Sequence, residues 1–295
     1  MLLLLTAAGA AGLFGSLLGL GGGVLAVPML VLLFQLDFHT VVAAASIGSV
    51  ATSTGSAAAY LRSGAANLRL ALLLAIATTG GASVGALVSV HADVRLLSGI
   101  FALVLLYAGL SLARNVVRPP TMRDEPVIVT DSATVPVDVL TRVPSGRWDL
   151  CGRYLDVRSG SLVTYEPHRL RLGTVISLGS GLLSGLLGVG GGVVNVPLLH
   201  VTMELPLRAA IATSVLIVGC TSSAAGLVQV MHGNMNPTLA APVALGMLLG
   251  GRSGARIAPY VSQGLLRWLF IAVLGVTCIQ MVLKALAIPL PWEQP

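Results

Sequence analysis

Residues Gly12 to Leu30 read GLFGSLLGLGGGVLAVPML, and Gly181 to Leu199 read GLLSGLLGVGGGVVNVPLL. They align without a gap at an offset of 169, with 12 of the 19 positions identical. Apolar segments share Leu, Gly and Val by composition alone, yet the correspondence runs on in order. With a one-residue slip Ala45-Ser46 meets Thr213-Ser214. At 169 again, Gly64 and Asn67 meet Gly233 and Asn236, and Gly85-Ala86 meets Gly254-Ala255. The chain reads as two homologous halves. Each opens with a triple glycine and a later proline: Gly21, Gly22 and Gly23 with Pro28, then Gly190, Gly191 and Gly192 with Pro197.

The solvent of these halves follows from composition. Of 295 residues, 55% are hydrophobic and 9% charged, with a mean hydropathy of +0.92. Soluble domains carry roughly 25% charged residues. Sixteen of the 28 charges lie between Arg114 and Arg171. That split excludes a soluble enzyme, a nucleic-acid binder and a disordered chain, and describes a polytopic membrane protein with one water-exposed segment. Cys151, Cys220 and Cys278 have no CxxC spacing, so neither a zinc site nor redox chemistry is expected. Met1 to Leu5 lack the basic start of a signal peptide, so the first apolar run is read as a retained membrane segment.

Apolar runs fall at 2–34, 40–61, 68–90, 96–114, 172–201, 207–231, 238–260 and 265–287. The expected fold is an all-α membrane bundle, since open sheets cannot expose backbone to lipid. Its parts are a first repeat of about four helices at 1–115, a hydrophilic connector at 116–170 and a second repeat at 171–289. Within the connector, Tyr154-Leu155 and Leu162 to Tyr165 flank Ser159-Gly160 and suggest a small β-ribbon; Val127 to Thr130 and Val135 to Val139 are further β-branched patches. The runs 2–34 and 172–201 are too long for simple spans: about 33 residues of helix extend some 50 Å, against a hydrocarbon core of roughly 30 Å. Glycine freedom and the missing proline donor predict that both break, with Pro28 and Pro197 as helix-breaking residues. Four true spans per half would make the repeats parallel; a re-entrant first element would invert them.

Paired broken helices are how transporters build solute sites near mid-membrane. A helix start offers free N–H donors and partial positive charge, which suits a small anion, and glycine lets it approach. Close helix packing uses small residues too. Ser46, Ser49, Thr213 and Ser214, in the helices that follow, can donate to anion oxygens or bond back to their own helix. Asn195 replaces Ala26 of the first half and could orient a solute or tie two helices. Arg252 and Arg256 share a helix face and either line the path or snorkel to headgroups. Tyr60, Tyr260 and Trp268 read as interfacial anchors. No acid lies squarely inside a span, so proton coupling would use Asp37, His39, Glu204 or His200 at the edges.

GLGGGVLAVPML at Gly19 to Leu30 and GVGGGVVNVPLL at Gly188 to Leu199 resemble the paired signatures of the TauE/SafE permeases, the sulfite or organosulfonate exporters. The resemblance extends to Ala45-Ser46, Thr213-Ser214 and Gly254-Ala255-Arg256, and to the Tyr-containing stretch before the second motif. It implies a bacterial inner-membrane transporter, in a family some of whose members move small sulfur-containing anions. A permease for another solute, or a non-transporting sensor or scaffold, is the alternative; a homo-oligomer is left open.

An enzyme is not expected. Gly251-Arg252-Ser253-Gly254 matches a GxSG nucleophile motif, but no histidine base follows His232, and there is no HExxH or P-loop. No cofactor is implied. With eight alternating spans, the side holding both termini and the connector carries 12 Lys and Arg against 5 on the other. Termini and connector are therefore expected in the cytoplasm.

Overall fold

The computed structural model describes residues 2–34, 38–90, 150–156 and 161–262, with isolated positions at 92, 97, 99, 100, 103, 106, 264, 265, 268, 269, 272 and 275. The expected runs at 96–114 and 265–287 are described only at such positions, which are helical. The patches at Val127 to Thr130 and Val135 to Val139, and the turn at Ser159-Gly160, lie outside the described residues.

The chain is mostly helical. In order come α1 (Leu2–Leu18), α2 (Gly23–Leu33), α3 (Phe38–Arg62), α4 (Leu68–Ser89), β1 (Gly152–Asp156), β2 (Ser161–Tyr165), α5 (Leu170–Leu187), α6 (Gly192–Pro197), α7 (Leu207–Met231) and α8 (Pro237–Ile257). Among the described residues four helices are long and apolar enough to cross a membrane: His39–Arg62, Leu68–Ser89, Leu170–Leu187 and Leu207–Met231. Asparagines start two of the helices. Asn67 Oδ1 accepts from Leu70 N at 3.0 Å to open α4, and Asn236 Oδ1 accepts from Thr238 N at 3.1 Å to open α8.

Small residues let the helices touch backbone to backbone. α1 lies on α8, with Gly246 against Leu5, Gly250 against Gly9 and Gly254 against Leu13. α4 lies on α5, where Gly181 faces Thr78 and Gly185 faces Ala82. In lipid this close approach replaces the hydrophobic drive between helices. The numbers rise together in both pairs, so each pair is parallel. α8 is parallel to α3 as well, Met247 O accepting from Thr52 Oγ1 at 3.3 Å and Gly55 facing Leu248. α3 and α7 run antiparallel at the centre: Ser53 Oγ donates to Val215 O at 2.7 Å, while Gly226 faces Ile47.

These directions decide the course of the first run. α1 and α3 point the same way, and near their ends Tyr60 Oη donates to Ser16 O at 2.7 Å. The chain between them therefore doubles back, and α3 starts at the end of the bundle where α1 started. The β-ribbon docks at the opposite end. Its strands pair antiparallel with Tyr154 across from Val163, Asn67 Nδ2 donates to Leu150 O at 2.7 Å, and the Tyr154 and Tyr165 rings pack with centroids 6.4 Å apart. Leu2 and the ribbon thus lie at opposite ends, contrary to the expectation that the N-terminus and connector share a side. That expectation counted eight alternating crossings, and a run that returns removes one alternation.

The prolines do not end their helices. α2 continues through Pro28 to Leu33, losing only the bond that position 28 would donate to Val24. Pro197 marks a change from α to π winding over Leu198–Thr202, where Met203 N donates to Leu198 O at 3.0 Å. The helices stop upstream, at Leu18 and Leu187.

Candidate functional site

α1 ends in a left-handed turn in which Gly19, Gly21 and Gly22 have φ of 74°, 77° and 81°. Leu20 N and Gly21 N both donate to Gly15 O, at 2.8 and 3.3 Å. α5 ends alike: Gly188, Gly190 and Gly191 have φ of 68°, 77° and 77°, and Gly188 N donates to Ser184 O at 2.8 Å. Such φ values strain any residue with a Cβ, which is why glycine stands at these six positions.

The two turns meet. A Cβ on Gly23 would stand 2.9 Å from Gly188 O and from the Val189 Cα; one on Gly192 would stand 2.5 Å from Gly19 O and 2.6 Å from the Leu20 Cα. Gly21 and Gly190 both face the Val218 side chain, near the middle of α7. Ser49, near the middle of α3, has its Oγ 2.6 Å from where a Gly23 Cβ would be.

Polar side chains surround the second turn. Ser180 Oγ donates to Asn195 Oδ1 at 2.8 Å and to Gly191 O at 3.2 Å, which turns the amide's Nδ2 outward from that pair. Among the described residues Asn195 Nδ2 has no partner, nor have the hydroxyls of Ser16, Ser49, Ser177, Ser184 and Ser222, all at most 1% exposed. Buried polar groups are normally paired, and four of these side chains, Ser49, Ser184, Asn195 and Ser222, stand beside the turn glycines and mark a place that something else completes. Among the described residues no Asp, Glu, Lys or Arg is buried, and no cluster could hold a metal.

The expected site residues divide. Gly21, Gly22, Gly23, Gly190, Gly191, Gly192, Ser49 and Asn195 come together. Ser46 Oγ bonds back to Val42 O at 2.9 Å, Ser214 Oγ holds Gly19 O at 2.8 Å, and Thr213 Oγ1 accepts from Asn67 N at 3.1 Å; these hydroxyls are occupied in tying backbone. Arg252 is not among the group. It is exposed, as is Arg256, on the outer face of α8. Ser177, Ser180, Ser184 and Ser222 were not anticipated. The first three recur at spacings of three and four along α5, one face of a helix, and that period was the available signal.

The family model for the sulfite exporter TauE/SafE matches residues 4–281. The chain belongs to the TauE/SafE family. Relatives of the chain are described as probable membrane transporter proteins. YunE of Bacillus subtilis (strain 168) is 27% identical over 254 residues, covering 84% of each chain. A Xylella fastidiosa (strain Temecula1) protein is 25% identical over 264 residues, covering 88% of this chain and 86% of its own. MamO of Magnetospirillum gryphiswaldense matches at 32% over 132 residues, 42% of this chain and 20% of its own. No solved structure matches. Like its TauE/SafE relatives, the chain is a membrane transporter by family, and its apolar helices make it a multi-pass membrane protein.

Proposed function

We propose that this protein is a secondary transporter that exports a small anion, a sulfite or an organosulfonate, from the bacterial cytoplasm across the inner membrane. The observation that carries the reading is the meeting of two left-handed glycine turns at mid-height in the bundle, beside buried donors without partners. Transport sites of this kind lie near mid-membrane at broken helices. The family description supplies the sulfur chemistry.

In this reading the halves are inverted repeats. α3 and α7, which follow the two glycine motifs, run antiparallel, and each first run doubles back on itself. The arginines support one orientation. Arg62, Arg69, Arg153, Arg169, Arg171, Arg208, Arg252 and Arg256, all the described ones, belong to the half of the bundle nearer the ribbon. The ribbon end is therefore cytoplasmic and the N-terminus faces outward.

Purified protein in proteoliposomes, loaded with sulfite or with an organosulfonate such as taurine, tests this. Release should exceed that from empty liposomes and saturate with concentration. Equal release from both, with correctly folded protein, overturns the proposal. Proton coupling is read in the same vesicles by imposing a pH gradient.

A further inference from the structure

Resting on that reading, we propose that the solute is held at the second turn alone, by uncharged donors, and that the site selects singly charged oxyanions over doubly charged ones. A Cβ on Gly191 would stand 3.2 Å from Ser180 Oγ, 3.3 Å from the Ser184 Cβ and 3.4 Å from Asn195 Nδ2. One on Gly190 would stand 2.6 Å from Ser222 Oγ and 3.6 Å from the Ser49 Cβ. Asn195 Nδ2, the Ser222 hydroxyl and the Ser184 and Ser49 side chains thus gather around one glycine pair, and each side chain carries a buried polar atom that has no partner among the described residues.

The first turn has less of this equipment, with only the shared Ser49 hydroxyl beside its Gly23. At the offset of 169, the counterparts of Ser177, Ser180, Ser184 and Asn195 are Ala8, Ala11, Gly15 and Ala26. Ser53, opposite Ser222, spends its hydroxyl on Val215 O. A side chain at Gly15 would run into the Gly22 backbone, so the first turn is closed by its own chain. Among the described residues, Ser16 is the one buried first-half hydroxyl outside this group that has no partner. The first turn serves as a wall and the second as the cradle.

Charge follows from the donor set. Hydroxyl and amide donors can replace the hydration of an oxyanion whose single charge is spread over several oxygens, such as a sulfonate group. A dianion brought to the same place would lose far more hydration, and among the described residues no Lys or Arg side chain stands at these glycines to offset it.

The test is titration of methanesulfonate and of sulfate, at matched ionic strength, into detergent-purified protein, read by thermal shift and by calorimetry. The wild type should bind methanesulfonate at least tenfold tighter than sulfate. Asn195→Ala and Ser222→Ala should each weaken methanesulfonate at least tenfold while melting within a few degrees of wild type without ligand. Ser214→Ala, which loosens the first turn, should leave affinity within about threefold. Should an alanine variant misfold, Asn195→Ser and Ser222→Cys replace it. Methanesulfonate binding that ignores Asn195 and Ser222, or sulfate bound as tightly, overturns the one-sided neutral site and leaves anion transport standing. Binding of neither anion, with no flux in liposomes, overturns the transport reading as well.

Discussion

Two glycine-to-alanine substitutions on one helix should move stability in opposite directions. Gly179 and Gly185 both lie in α5. A Cβ at Gly179 meets nothing within 4 Å, on an exposed face. One at Gly185 would fall on the α4 backbone, 2.6 Å from Ala86 N and closer still to Ala82 O. An alanine inside a helix is worth about 0.5–1 kcal/mol over glycine, and Gly179→Ala should gain most of that. At Gly185 an ordinary contact needs 3.4 Å or more, so α5 must retreat from α4 by roughly an ångström. Forcing extra volume into a packed interface costs about 1–3 kcal/mol, and a gap of that size forfeits a quarter to a half of each neighbouring dispersion contact. Net of its helical gain, Gly185→Ala should destabilise by about 1–2 kcal/mol. The two variants should then differ by about 2 kcal/mol, read as melting temperature by circular dichroism in one mild detergent. If Gly185→Ala melts at or above Gly179→Ala, the α4–α5 contact is not the close one described.

Asn67→Ala removes a helix cap and the bond to Leu150 O together, at a cost of about 1–2 kcal/mol; limited trypsinolysis should cut at Arg153 several-fold faster, and an unchanged rate would mean the ribbon is held by other contacts. Tyr165 should make that docking sensitive to alkali. Burial pushes its phenol up to about 12, while the nearby Asn67 amide pulls the other way without satisfying the hydroxyl. A raised acid pKa means the folded form holds its proton longer than the unfolded one, so stability is full below the ordinary tyrosine range near pH 10 and falls as pH climbs towards 12. Tyrosinate absorbance should report this rise, and Tyr165→Phe should flatten the pH dependence of trypsin resistance in that window.

The helical class and the transporter family were legible because hydropathy and the doubled motif are written in residue type alone. What residue type does not carry is direction. Arg252 looked like a path residue from its run, but facing is set by packing: Gly251 and Gly254 turn inward against Thr52 and Leu13, which leaves Arg252 outside. Pro28 looked like a breaker because a missing donor usually ends a helix, yet one lost bond is tolerated where the helix is walled by neighbours. Glycines with positive φ have no such latitude. Ser184 and Ser222 were overlooked because serine is common in membrane helices, and only the other elements decide which hydroxyls find a carbonyl. Ser46 does and Ser49 does not, three residues apart. The side assignment of the N-terminus depended on whether a broken run crosses or returns, and composition is the same in both cases.

Because Gly23 rests on Gly188 and Val189, while Gly192 rests on Gly19 and Leu20, neither half contains a finished turn. The longest helix contacts, α1 with α8 and α4 with α5, also join one half to the other. If the halves are inverted repeats, as proposed, a half-length product could work only as two copies inserted in opposite senses, each lending the other its wall. Such copies are one sequence, so any side chain gained in the cradle would appear in the wall as well. In the proposed reading of two inverted repeats, joining them in one chain lifts that constraint. Within a single chain, serine and asparagine can stand at positions 184 and 195 while positions 15 and 26 are glycine and alanine, which in the proposed reading gives the clasp a front and a back.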